Sequence, residues 1–457
     1  MPPADLSIAG RLVIGDGAPA RGEILVADGR IAAVRAGEPL AGLASKHVDV
    51  VDAYLLPGAI DCHVHSGSHP GEGLAAVTGA AAAGGVTTVI DMPYDAEGPV
   101  VSPEVFAEKS SRVAREALVD VALLGTLRPG SGATDVAPLV EAGAAGFKLS
   151  LFCTDPRRFP RIPDHQFIDV LAAVRETGSI ACVHAENEEI IKPLIARARQ
   201  EGDRSPIAHC RSRPPVSETQ AVLTVLEYAR ETGARVHLCH LSLPRSVDLV
   251  ASYAAEGTAV TAETCPHYLC FSEDDASSQG GRLKINPPLR RSADVEEMWQ
   301  RLAAGKVDVV ASDHAPWPLS HKTKPDIFDN HSGVPGVETL LAVLADRLLQ
   351  RGGTVQDLVR LVSATPAKLF GLSHQKGSLE VGMDADIVAY DPAASYTVDE
   401  HQLHSNAGWS PYHDMKLGGR VVLTISRGEV VWDGRTLHGA PGRGRLVTPM
   451  RDGGWAP

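Results

Sequence analysis

The chain is poor in cysteine, aromatic residues and positive charge, and each shortage closes off a class of function. Seven cysteines are scattered over 457 residues: Cys62, Cys153, Cys182, Cys210, Cys239, Cys265 and Cys270. Their number is odd and no two stand as CxxC, so neither a disulfide framework nor a thiolate zinc site is favoured. Several fall inside apolar runs, where a thiol behaves as a small buried hydrophobe. Reduced, structural cysteines point to the cytoplasm. Lys and Arg number 43 against 56 Asp and Glu, a net charge of −13. With no Lys/Arg run and no interleaved aromatic stripe, no nucleic-acid partner is expected. No apolar run resembles a membrane span, and the opening MPPADLSIAGRLV lacks the basic and apolar regions of a signal peptide, so no membrane partner is expected either.

What remains is an ordinary globular composition, 44% hydrophobic and 22% charged, with ample material for a core. Residues 1–53 read as short strands broken by turns, with the pairs Asp16–Gly17 and Asp28–Gly29 as hairpin signals. Residues 375–457 look alike, from KGSLEVGMDADIVAYDP to GRVVLTISRGEVVWDG. Between them, over 54–374, apolar β-branched runs alternate with helical stretches. GAIDCHVH, GVTTVIDMP, DVALLGTL, AGFKLSLF, SIACVHAEN, RVHLCHLS, GTAVTAETCPHYL and VDVVASDHAPW make eight strands. Such alternation means βα units and a parallel sheet. The expected fold is therefore α/β: a (β/α)8 barrel with a small β-sandwich domain formed from both chain termini.

Polar residues stand at the C-terminal ends of these strands, where barrel enzymes place their chemistry. In GAIDCHVH, Asp61, His63 and His65 alternate and so are expected to share one strand face. His184, His240 and Asp313 end three further strands. Lys148 sits inside the apolar run of a fourth, where burial disfavours its charge. Taken singly, a histidine at a strand end is more often a hydrogen-bonded core residue, and an aspartate before a turn a cap. Together on one rim they point to a metal site. Two neighbouring cations would depress the Lys148 ammonium pKa. The neutral amine can then add carbon dioxide and become a carbamate that bridges two metals. Histidine and oxygen donors without thiolate suit zinc, with manganese, cobalt or iron as substitutes.

These motifs, with SRPPVSE, NPPLR, SGVPGVETLL and TPAKLFGL, resemble the amidohydrolase superfamily over nearly the whole chain. The resemblance is to its cyclic amidohydrolase branch: allantoinases, hydantoinases, dihydropyrimidinases and dihydroorotases. It implies two divalent metal ions, with His63, His65 and Asp313 on one and His184 and His240 on the other. It implies N6-carboxylysine at Lys148 as the bridge, and Asp313 as the catalytic base and then acid. Asp61 is read as support for a metal ligand, and Asn286 and Ser332 as substrate contacts. His69 is left open between a pocket residue and a loop cap. The implied partner is a small cyclic ureide or amide, and the implied assembly a homotetramer or homodimer.

Departures from the subfamily patterns narrow the ring. Dihydroorotases carry an Arg two residues after the second His of HxH and an Asn after MP at the second strand. Gly67 and Tyr94 stand there. D-Hydantoinases and dihydropyrimidinases carry a Tyr five residues after the bridging Lys, where this chain has Cys153. ETCPHYL and SPYHDMKLGGRVVLTISRG look most like allantoinases, and VHAENEEII resembles L-hydantoinase-type enzymes. The expected reaction is hydrolytic opening of allantoin. The alternative is a hydantoinase or dihydropyrimidinase, with a dihydroorotase or a metal-free pseudoenzyme behind it.

Overall fold

The computed structural model describes residues 4–40 and 42–451. The outermost residues of the terminal segments, 1–3 and 452–457, and residue 41 lie outside it. All eight expected barrel strands are present: Ala59–Val64, Val86–Asp91, Asp120–Gly125, Gly146–Ser150, Ala181–His184, Val236–Leu238, Val260–Thr264 and Val309–Val310. Each pairs in parallel with the next. The barrel closes through a parallel bridge between Val64 and His314. Two backbone bonds support it, from His65 N–H to His314 O (2.9 Å) and from His314 N–H to His63 O (3.2 Å). Closure thus joins the residues flanking Asp313 to the HxH motif.

Strand alternation sorts the apolar side chains into two cores. Ile60, Cys62, Ile90, Leu124, Cys182 and Val309 belong to a cluster in the lumen. Val89, Leu123, Phe147, Val183 and Leu238 face outward and join the larger cluster under the helices. Three of the seven cysteines (Cys62, Cys182 and Cys239) are lumen packing, and all seven are unpaired. No helix among the described residues is long and apolar enough to cross a membrane.

Both chain ends build one seven-stranded sheet around its own core. Strands Ala4–Leu12, Ala20–Ala27 and Arg30–Ala36 come from the N-terminus, and Ile387–Asp391, Arg420–Ser426 and Glu429–Trp432 from the C-terminus. Ala44–Pro57 joins the two sets and runs across the boundary expected at 53/54. The edge strand Arg30–Ala36 is held to the segment that precedes Ile387–Asp391: Ile31 N–H donates to Met383 O at 2.9 Å. The hairpin turns Asp28–Gly29 and Arg427–Gly428 both have positive φ. They abut so closely that a Cβ on Gly428 would lie 2.9 Å from Val26 Cγ1 and 3.1 Å from Gly29 Cα. Only glycine supplies both the dihedral and the room.

A buried ion cluster ties this domain to the N-terminal end of the barrel. Lys376 Nζ lies 2.6 Å from Asp120, 3.0 Å from Asp384 and 2.7 Å from Asp386. Burial opposes its charge, but the three carboxylates push its pKa above the usual lysine range. These carboxylates are close enough to hold a cation, and Lys376 already provides one. Lys376→Met would leave them facing one another with only Arg427 on Asp120 and the more exposed Arg30 on Asp384. It is expected to cost about 3–5 kcal/mol, read as a lower denaturant midpoint. An unchanged midpoint would show that the two arginines suffice.

Candidate metal centre

At the C-terminal mouth of the barrel, the residues singled out in the sequence converge. His63 Nε2 and His65 Nε2 lie 3.3 Å and 3.5 Å from Asp313 Oδ1, a group compact enough to hold one ion. His184 Nδ1 faces His240 Nε2 at 3.1 Å. The His63 and His240 rings are 5.1 Å apart, which joins the two pairs. Lys148 is fully buried between them, its Nζ 3.4 Å from His63 Nε2. Among the described residues no carboxylate pairs with it. Burial opposes this ammonium while Glu263 and Asp313 favour it; if cations occupied the site, conversion to an anion would remove their repulsion.

Two of these residues sit in strained backbone. His240 has φ +41° and Asp313 φ +47°, the left-handed region that non-glycine residues seldom adopt. Hydrogen bonds hold both places. His240 N–H donates to Glu263 Oε1 at 2.9 Å. Ser312 N–H, just before Asp313, donates to Asp61 Oδ1 at 3.0 Å.

Strict alternation does not survive at the first strand. Its register against the second shifts between Asp61 and Val64, and the bulge lets two consecutive residues face one group. Cys62 Sγ and His63 Nδ1 both reach Glu263, at 3.4 Å and 2.8 Å. Asp61 therefore does not share a face with the two histidines. It accepts from the backbone of His63 (3.3 Å) and of Ser312, and so ties the strand of His63 to the segment that carries Asp313. Burial pushes its carboxyl up to about 6 against these hydrogen bonds.

The carboxylates that orient the histidines were not found by reading the sequence. Glu263 takes His63 Nδ1 at 2.8 Å on one oxygen and His237 Nε2 at 3.1 Å on the other. Burial would raise its pKa, but the two imidazoles hold it well below the carboxylate range. Burial and Lys148 both disfavour a charged His63, yet Asp313 and Glu263 outweigh them and push its pKa up to about 10. A metal at Nε2 would take the place of that proton. Glu186 accepts from His184 Nε2 at 2.9 Å and from Arg213, which leaves His184 Nδ1 facing His240. Further out, Glu218 accepts from Ser246 Oγ (2.7 Å) and Arg290 Nη2 (3.0 Å), and from Ser242, two residues after His240. The motifs VHAEN, SRPPVSE, LCHLS and NPPLR thereby form two connected ion-pair networks behind His184 and His240. Glu263 could have been flagged as Lys148 was, as a charge inside a strand. Arg213 carries no local signal.

Above the four histidines and Asp313 a cleft opens to solvent, and both Asn286 and Ser332 line it. Asn286 Oδ1 is buried without a protein partner. Tyr94 stacks on Phe159 with ring centroids 3.8 Å apart, and its hydroxyl donates to Lys148 O at 2.9 Å. His69 caps its own loop, Nδ1 accepting from Gly71 N–H at 3.0 Å. Cys153 is tied by its N–H to Glu188. At Gly67 an added Cβ would fall 2.1 Å from Asp95 Oδ1. Lys109 holds that carboxylate at 2.8 Å, so no larger side chain fits there unless Asp95 moves.

Comparison with known proteins agrees with this geometry. The chain is 37% identical over 455 residues to an allantoinase of Rubrobacter xylanophilus, covering 98% of this chain and 99% of that one. It is 33% identical to an L-hydantoinase of Paenarthrobacter aurescens, covering 96% of each. The solved L-hydantoinase (dihydropyrimidinase) of Arthrobacter aurescens superposes with a TM-score of 0.94 at 32% identity, over 97% of this chain and all of that one. The sequence profile of the amidohydrolase family, whose members depend on binuclear metal centres, matches residues 54–431. By fold, by sequence and by the donor set at the barrel mouth, this chain belongs to the amidohydrolase family.

Proposed function

We propose that the chain is an allantoinase, which hydrolyses a ring amide bond of allantoin. The observation that carries the reading is the convergence of four histidines, Lys148 and Asp313 beneath one cleft. The allantoinases among its relatives support the choice of ring.

The donor set fits two divalent cations. His63, His65 and Asp313 would hold one, His184 and His240 the other, with Lys148 as N6-carboxylysine shared between them. Nitrogen and oxygen donors suit zinc, with manganese, cobalt or iron as substitutes. When bound, such cations make water a nucleophile at neutral pH and polarise a carbonyl. The chain's own residues do the rest. Glu263 and Glu186 fix the tautomers of His63 and His184 so that Nε2 and Nδ1, respectively, face the centre. Asp313 takes the attacking water's proton at its carboxylate and returns it to the leaving ring nitrogen. Asn286 Oδ1 accepts from a ring N–H, and the Ser332 loop supplies further polar contacts.

A hydantoinase acting on 5-substituted hydantoins is the second reading, favoured by the near-complete superposition on L-hydantoinase. Allantoin is 5-ureidohydantoin, so both readings share the ring. Gly67 supplies no dihydroorotase-type arginine, and Asp95 crowds that position; six filled ligand positions speak against a pseudoenzyme. We place the protein in the cytoplasm as a homotetramer or homodimer.

The test is a ring-opening assay on metal-loaded protein with allantoin, both hands of a 5-substituted hydantoin, dihydrouracil and dihydroorotate. Allantoin is expected to exceed the others in kcat/KM by at least about tenfold. Turnover of hydantoins without allantoin would overturn the proposal in favour of the second reading.

A further inference from the structure

We propose that Arg158 is the specificity-determining residue of this cleft, and that it recognises the exocyclic ureido arm of the substrate. The inference rests on the allantoinase reading and extends it to the part of the substrate that distinguishes allantoin from other hydantoins.

Arg158 lines the cleft alongside three aromatic side chains, Tyr94, Phe159 and Trp317. A wall of that kind suits an apolar ring substituent, and a guanidinium within it is unexpected. This one is held in place on one side. Nη1 donates to the carbonyls of Ser68 (3.1 Å) and Tyr94 (3.3 Å), which come from two separate loops. Asp155 accepts the Arg158 N–H at 2.8 Å and lies 3.7 Å from Nε. The guanidinium carbon stands 5.7 Å from the centre of the Trp317 ring. Among the described residues Nη2 has no hydrogen-bond partner.

A guanidinium keeps its charge at any working pH and donates in a fixed plane. With one edge committed to backbone carbonyls, the other is preset for an acceptor in the cleft. A ureido carbonyl is such an acceptor, whereas an alkyl or aryl group offers none and would leave the donor desolvated and unpaired. The same wall that tolerates an apolar substituent thereby prefers a polar one. Lys148 is the other cation lining the cleft, and it is committed to the metal centre.

The experiment compares Arg158→Met and Arg158→Lys with wild type, measuring kcat and KM for allantoin and for unsubstituted hydantoin, which has the ring but no arm. For Arg158→Met, kcat/KM on allantoin is expected to fall by roughly 10- to 100-fold, mostly through KM. Hydantoin should lose much less, so the allantoin-to-hydantoin ratio drops at least about tenfold. Arg158→Lys keeps a charge but not the planar donor edge, and its ratio should fall between the two. It also serves as the readout if the methionine variant does not fold. An equal fall on both substrates would overturn the proposal and make Arg158 only a brace between the Ser68 and Tyr94 loops. An unchanged ratio would overturn it as well. Wild-type protein that opens hydantoin but not allantoin would instead overturn the allantoinase reading, and this inference with it.

Discussion

Lys148→Ala is expected to lose most of its bound metal and nearly all turnover. The side chain is fully buried, 3.4 Å from His63 Nε2, and no carboxylate in the described structure makes a direct ion pair with it, although Glu263 and Asp313 favour its charge from further off. As an ammonium it would repel any cation at the centre. As a carbamate it supplies two oxygens and a negative charge, and so reverses its effect on the site. Alanine removes that bridge while leaving Thr126 and Tyr94, which bond only the Lys148 carbonyl oxygen, in place. The fold should therefore survive, and the loss should be specific to the metals. Metal analysis of the purified variant checks this, with about two ions per chain in wild type and far fewer in the mutant. Added short carboxylic acids, small enough to enter the space, should restore part of the activity. Full metal content with full activity in Lys148→Ala would end the carbamate assignment.

Asp313→Ala should lower turnover by at least about 10³-fold, since it removes a ligand and a proton carrier in one step. Asp313 Oδ1 is the point at which His63 and His65 meet. Burial would raise its pKa, but His63, His65 and His240 hold it far below the carboxylate range, so it enters the reaction ionised. Asp313→Asn separates the two duties, because the amide can still coordinate weakly through oxygen but cannot take a proton. The asparagine variant is expected to retain more metal than alanine yet recover little of the rate. A mild effect on kcat in both variants would move the acid–base role to another group.

Much of the centre was legible in the sequence because barrel topology makes strand ends converge. Eight β-branched runs separated by helical stretches specify a closed parallel sheet, and a polar residue ending a strand then has one place to go. His63, His65, His184, His240 and Asp313 could be nominated on that ground, and Lys148 because a charge inside an apolar strand needs an explanation. The terminal sheet was legible for a local reason: Asp28–Gly29 announces a hairpin through its tolerance of positive φ. The alternation rule failed at Cys62–His63, where a bulge brings consecutive residues to one carboxylate. A bulge depends on register with the neighbouring strand, which no local pattern encodes.

By itself, then, the sequence determined the architecture and nominated the candidate donor residues, through periodicity and residue type, while the ring was implied only by the resemblance its motifs carry. Tertiary structure alone decided how those donors are aimed. The groups that set tautomer, charge and backbone strain lie far away along the chain: Glu263 is 200 positions from His63, and Ser312 is 251 from Asp61. Arg158 likewise meets Ser68 across 90 positions and Tyr94 across 64. Closing a barrel brings such residues within hydrogen-bond distance. Hydrogen bonds and ion pairs are short-range and directional, so their partners emerge only once the strands are in register.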